Sequence, residues 1–258
     1  MRSNAQEREK CSLTLGNDSE NEMNQDNAIT LYKWILQEFT AEGRAEFVTC
    51  LGPYLAALVH PQDRVLDLCC GAGPFSFFFE QHGAQVTAID FAPYMIQLAQ
   101  EAARNRQSAV KFIQADVLTH DLGIEQFNLV AFLGNTVSDF PLSSFIELGH
   151  RTHKALKRDG RFAIHYVDGL YQFIQEGYPK EQVQQEEPER ITRRFKAYLP
   201  EKAGYTEIYE NEATGETYEY TSYVYTPPHV RLAMAGLFKL EQVIRLSEKS
   251  FLDVFLKL

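Results

Sequence analysis

Residues 65–79 read VLDLCCGAGPFSFFF. An apolar run closes on Asp67 and the pair Cys69–Cys70, passes Gly71 and Gly73, and enters a Phe-rich segment. The run is short enough for a strand buried on both faces, and the Phe-rich segment has the length of a helix ending at Gly83. The stretch therefore predicts a strand, a glycine turn and a helix. Glycine lets the backbone turn tightly and lets a ligand approach. A helix N-terminus beyond such a turn offers free N–H groups. Metal binding and redox chemistry have little behind them. The four cysteines (Cys11, Cys50, Cys69 and Cys70) include no Cys-x-x-Cys pair, and no His stands at zinc-ligand spacing.

The strand–helix alternation continues outward from this turn. AQVTAID (84–90), AVKFIQAD (109–116), FNLVAFLG (127–134) and GRFAIHYV (160–167) read as further strands. Two amphipathic segments intervene. One is APYMIQLAQEAARN, with Met95, Leu98, Ala99 and Ala102 on one face. The other is SSFIELGHRTHKALK, with Phe145, Leu148, Thr152 and Ala155 aligned. Strands separated by helices predict right-handed βαβ units and a parallel sheet. After residue 170 the pattern changes. ITRRFKAYL (191–199), YTEIYEN (205–211) and ETYEYTSYVY (216–225) are strand-like, and EATG between the last two is a hairpin turn. PPHVRLAMA is a short helix, and LFKLEQVIRL and FLDVFLKL close the chain as an antiparallel pair. Ahead of the first strand, apolar residues at helical spacing from Ala28 to Leu58 predict two or three helices that include Tyr32 and Trp34. Residues 1–27 are polar and predict a loose tail.

Composition narrows the function classes. The chain has 258 residues, 45% of them apolar, and a net charge of −10. Such a chain is repelled by phosphate backbones, so no nucleic-acid partner is expected. RITRR (190–194) is the densest basic patch and follows the acidic QQEEPE. There is no secretory signal pattern and no apolar run near the roughly 20 residues that span a bilayer. A cytoplasmic protein without a membrane partner is expected.

In an open parallel sheet, ligands sit beyond the carboxyl ends of the strands. Asp67, Asp90 and Asp116 stand at or near three consecutive strand ends. One such acid is often only a helix cap; three beside a glycine turn form a constellation. The spacing of a dinucleotide site, Gly-x-Gly-x-x-Gly, fails because position 76 is Ser. Asp90, 19 residues after Gly71, can still accept both hydroxyls of a ribose.

VLDLCCGAG, VTAIDFAPYMIQLAQ, VKFIQADVL, FNLVAFLGNTVSDF and LKRDGRFAIHYV together resemble the successive motifs of class I S-adenosylmethionine-dependent methyltransferases, over roughly residues 60–170. Three positions depart from the pattern: Cys69 replaces the first glycine of the loop, Ala92 a capping Ser, and KRDG a common KPGG. The resemblance implies a Rossmann-like α/β fold. Its seven-stranded, mostly parallel sheet would have the order 3-2-1-4-5-7-6 with the last strand antiparallel. The core would comprise 61–170 and 226–258, residues 28–60 would be helices covering the cofactor, and 171–225 would be an antiparallel β lid. It implies S-adenosylmethionine as cofactor, S-adenosylhomocysteine as product, and no metal. Asp67 would organise the loop near the methionine amino group, with Cys69 in the turn and Gly71 and Gly73 admitting that moiety. Asp90 would bind the ribose diol, Phe91 and Met95 would flank the adenine, and Asp116 with Val117 would meet the adenine amine. Leu133, Gly134 and Asn135 would lie near the sulfonium.

For the acceptor, LGNTVSDF lacks the paired prolines of amino-methylating members that act on adenine or glutamine. The turn is similar to that of glycine- and sarcosine-type N-methyltransferases, yet HYVDG has no Arg for a glycine carboxylate. The implied reaction is N- or O-methylation of a small molecule. A protein or RNA substrate and a non-catalytic binding module are the alternatives, and a homodimer is compatible with the sequence. His165 stands as a base or acceptor ligand, or as a hydrogen-bonded wall residue. Asn135 is the second catalytic candidate, and Asp139 and Asp168 read as turn acids. The tyrosines of the insert read as acceptor walls or as a dimer face.

Overall fold

The structure, a computed structural model, describes residues 41–177, 181–185 and 190–258. The predicted tail and the helical positions of Tyr32 and Trp34 lie outside the described residues. Of the predicted N-terminal helices, α1 (Ala41–Ala56) is described.

A seven-stranded sheet forms the centre, with β1 (Arg64–Leu68) in its middle. Parallel β2 (Gln85–Asp90) and β3 (Lys111–Gln114) lie on one side. On the other lie parallel β4 (Phe127–Phe132) and β5 (Leu156–Val167), then the last strand and its partner. The crossovers are α2 (Pro74–Gln81), α3 (Pro93–Arg106) and α4 (Leu142–Ala155). Both faces are covered, which is why β1 and β4 read as apolar runs. Val65, Phe79, Ala88 and Leu129 pack on the α1–α2–α3 side. Leu66, Phe132, Phe145 and Phe162 pack on the α4 side.

Past β5 the chain forms a separate antiparallel sheet. Its strands run in sequence order: β6 (Glu181–Gln185), β7 (Ile191–Leu199), β8 (Gly204–Asn211) and β9 (Thr217–Tyr223). The expected hairpin turn joins β8 to β9, with Asn211 Oδ1 accepting from Ala213 N at 3.0 Å and Gly215 at φ +71°. Then α5 (Pro227–Met234), β10 (Phe238–Arg245) and β11 (Ser250–Lys257) complete the core. β11 is antiparallel to both β5 and β10, so the sheet order is the one that the resemblance implied. Buried Asp253 ties this edge together. It accepts from Tyr166 Oη at 2.9 Å and from Arg231 Nε at 2.8 Å, fixing α5 to β5 and β11.

Four expectations need correction. The third strand is Lys111–Gln114 rather than 109–116, because it is a half-exposed edge and the chain turns at Asp116. The fourth stops at Phe132, since Gly134 (φ +86°) and Asn135 (φ +65°) turn left-handed. The fifth begins at Leu156, four residues early. The insert carries the unexpected strand β6, whose sequence EQVQQ has no apolar alternation. Among the described residues, no helix is long and apolar enough to cross a membrane.

Candidate active site

The turn after β1 is built from left-handed residues. Cys69 and Gly71 have φ +55° and Gly73 φ +82°. Cys69 thus takes a conformation that costs a non-glycine residue roughly 1–2 kcal/mol. The two glycines serve different ends. A Cβ on Gly73 would come within 2.7 Å of the Phe112 ring, so this glycine permits close packing. A Cβ on Gly71 would meet nothing within 4 Å, so this glycine borders open space. Cys70 N donates to Ile89 O at 3.0 Å and fastens the turn to β2.

Asp67 is 2% exposed and accepts from Ser76 Oγ at 2.5 Å. Ser76, the residue that broke the dinucleotide spacing, is the partner of this carboxyl. Burial pushes Asp67 up to about 7, against the pull of the Ser76 hydrogen bond and with a smaller push from Asp90. Asp90 binds the turn from the next strand, accepting from Gly71 N at 2.8 Å through Oδ2 and from Ala92 N at 2.9 Å through Oδ1. Burial raises it too, and these N–H donors oppose the shift. Asp116 is exposed, two residues past β3, where Oδ1 accepts from Leu118 N at 2.8 Å. The thiol of Cys69 registers how these acids converge. Burial raises it well above its ordinary value, and Asp90, Asp139, Asp67 and Asp116 each add to the shift. Four carboxyls thus bear on one turn with an open side. Such a bowl attracts a cation and repels a phosphate.

The remaining predicted cofactor residues border the same end of the sheet. Met95 and Val117 are buried at 3% exposure, Phe91 is half-buried, Leu133 is buried and Gly134 exposed. Asn135 is committed to the backbone. Its N donates to His165 O at 3.3 Å, its Oδ1 accepts from Val167 N at 2.8 Å, and its Nδ2 donates to Ser138 Oγ at 3.4 Å. It clamps the β4 turn to the end of β5. His165 is enclosed. Its Nε2 lies 2.9 Å from Ser250 Oγ, and the Phe47 ring stands edge-on at 4.9 Å. Burial lowers it to about 4, so the imidazole is neutral at neutral pH.

A small recess, open to solvent, lies between these turns and the insert sheet. Asn135, Ser138, Gly169, Phe173, Tyr205 and Tyr225 are among its walls. Tyr220 Oη donates to Asp139, and Tyr225 Oη donates to Phe140 O at 3.1 Å, so the insert is fastened to the β4 turn. Asp139 is therefore more than a turn acid. Sequence reasoning missed Phe173, which lines the recess from the segment just past β5.

Residues 65–160 match the family model described as "Methyltransferase domain". The matched stretch runs from β1 into β5 and holds the glycine turn. Part of the chain is 40% identical over 58 residues to the malonyl-[acyl-carrier protein] O-methyltransferase of Serratia marcescens; the match covers 22% of this chain and 21% of that protein. A second match, 43% identical over 68 residues, is to the 23S rRNA (uracil(1939)-C(5))-methyltransferase RlmD of Shewanella amazonensis, covering 26% of this chain and 15% of that protein. The chain thus spans about a fifth or less of these relatives. The fold extends further. The PH0226 protein of Pyrococcus horikoshii superposes with TM-score 0.72 at 22% identity, over 89% of this chain and 99% of that one.

Proposed function

We propose that the protein is an S-adenosylmethionine-dependent methyltransferase acting on the nitrogen or oxygen of a small molecule. The observation that carries this reading is the glycine turn held by the carboxylate of the next strand: Asp90 accepts from Gly71 N at 2.8 Å and from Ala92 N at 2.9 Å, beside the open side of Gly71. S-adenosylmethionine is cationic at its sulfur and its amino group and carries no phosphate, so it suits this bowl; a dinucleotide pyrophosphate does not. When bound, it supplies a methyl group on positively charged sulfur, and the displaced electron pair stays on that sulfur in S-adenosylhomocysteine.

The roles follow position. Asp90 takes the ribose hydroxyls through the lone pairs left by Gly71 and Ala92. Asp116 offers Oδ2 to the adenine amine, with Phe91, Met95 and Val117 around the base. Asp67 faces the methionine amino group across the turn. Leu133 and Gly134 border the sulfur, and Asn135 holds that border in place. Residues 171–225 act as a lid, and the recess under Tyr205 takes the acceptor. Methyl transfer asks mainly for alignment and exclusion of water, which a roof of aromatic side chains supplies. His165 reads as a wall residue in this scheme, because a neutral imidazole bonded to Ser250 supports the end of β5.

The test is incubation with methyl-labelled S-adenosylmethionine and a broad panel of small molecules, with bulk RNA and protein alongside. Label in small molecules supports the proposal. Label confined to RNA or protein would overturn the acceptor class, and the net charge of −10 weighs against RNA.

A further inference from the structure

Asp116, the acid assigned to the adenine amine, opens a turn that belongs to no helix or strand. β3 ends at Gln114, and residues 117–120 bend away from it. Asp116 shapes this bend. Its Oδ1 accepts from Leu118 N at 2.8 Å, and its carbonyl accepts from His120 N at 2.8 Å and from Thr119 N at 3.2 Å. These bonds span only a few residues, so they fix the form of the turn and not its place on the molecule. Two further ties set its place. Ala115 N, just ahead of Asp116, donates to Asp90 O at 3.0 Å. The other side is held by Arg151, which reaches across from α4. Arg151 Nε donates to Val117 O at 3.1 Å, and its Nη2 donates to His120 O. The guanidinium is half-buried, and among the described residues both of its hydrogen-bond partners are backbone carbonyls of this one turn. Ordering a long arginine side chain costs rotamer freedom; here the return is the placement of residues 117–120.

Resting on the cofactor reading above, we propose that Arg151 is a positioning residue for recognition of the adenine: its guanidinium holds the Asp116–Val117 turn where Asp116 can accept from the exocyclic amine. Asp116 is exposed, so its bond to the amine competes with water. A carboxylate on a turn free to shift would lose much of that bond to ordering, whereas a turn already in place keeps it. Val117 is buried at 3% exposure and its carbonyl is the one that Arg151 Nε holds, so the same contact fixes the wall beside the base. The residue type matters. The planar guanidinium presents several N–H donors in fixed directions and spans two carbonyls at once, which the compact ammonium of a lysine does not do in the same way. In this scheme Arg151 touches neither cofactor nor acceptor and acts only through the turn.

The test is calorimetric binding to the full chain of two probes: S-adenosylhomocysteine, and its analogue whose purine carries hydrogen in place of the amine. Wild type should bind S-adenosylhomocysteine about tenfold tighter than the analogue, the worth of one hydrogen bond to a charged group. Arg151→Met, which keeps the apolar stem, should bring that ratio to about twofold or less while the analogue's own affinity changes by about twofold at most. Arg151→Lys, which keeps the charge, should also lower the ratio to about threefold or less, and it carries the test should urea unfolding show Arg151→Met to be unfolded. Asp116→Ala should lose the same ratio, and adding Arg151→Met to it should weaken S-adenosylhomocysteine by no more than about twofold further, because the two residues act through one bond. An unchanged ratio in a folded Arg151 variant, an equal loss for both probes, or additive losses in the double variant would overturn the proposal, since each is what a merely structural arginine gives. Equal binding of both probes by wild type would overturn it through Asp116. Failure of S-adenosylhomocysteine itself to bind wild type would instead refute the cofactor reading, and the role of Arg151 with it.

Discussion

Asp67→Asn isolates what burial of a carboxyl does to this fold. Asp67 is 2% exposed, and its pKa rises from 3.8 to about 7. Between those values the unfolded chain carries the charge and the folded chain carries the proton. Stability from this group is therefore complete below about pH 4 and is lost as pH rises toward 7. Each unit is worth about 1.4 kcal/mol, and allowing for partial titration near pH 7 the loss between pH 5 and pH 7 is about 2 kcal/mol. Asn keeps the shape and does not titrate. Urea unfolding of both proteins across this range measures the difference directly. Wild type should lose about 2 kcal/mol relative to the variant between pH 5 and pH 7. Parallel profiles would show that Asp67 ionises normally in the folded chain, and the account of its burial against Ser76 would be wrong.

His165 should behave in the opposite sense. Burial lowers it to about 4, so its contribution is complete above about pH 6.5 and is lost as pH falls toward 4, by about 3 kcal/mol in all. His165→Phe should therefore flatten the acid limb of the wild-type urea profile, and an unchanged limb would refute the placement. The two glycines should separate by assay. Gly73→Ala should cost at least about 1–2 kcal/mol of stability in urea unfolding, because Ala is strained at φ +82° and its methyl displaces Phe112. Gly71→Ala should carry a similar backbone cost and fill the open side of the turn, so cofactor affinity should fall more than stability does.

The central sheet was legible because its strands are buried on both faces and separated by helices of clear period. Its order, however, came from the family resemblance. The glycine turn was legible for the same local reasons, with β1 ending at Leu68, one residue past Asp67. What the sequence hid were relations between segments far apart in the chain. Ser76 looked like a defect in a nucleotide loop, and its bond to Asp67 exists only once α2 folds back over β1. Asp139 looked like a turn acid until β9 brought Tyr220 to it across 81 residues. Strand β6 left no pattern, since EQVQQ pairs through its backbone along an edge and its one apolar residue, Val183, is exposed. Tyr205 obeyed a visible alternation on β8, but nothing local said which face of the insert turns toward the recess.

The central claim is that the acid-lined turn binds S-adenosylmethionine, and calorimetric titration tests it most directly. Wild type should bind S-adenosylmethionine and S-adenosylhomocysteine and ignore NAD. Asp90→Ala should abolish binding of both. Asp90→Asn, which keeps an acceptor oxygen for the Gly71 or Ala92 N–H, should weaken it while leaving the fold intact. Binding of NAD with no affinity for either methyl cofactor, or unchanged affinity in Asp90→Ala, would contradict the account.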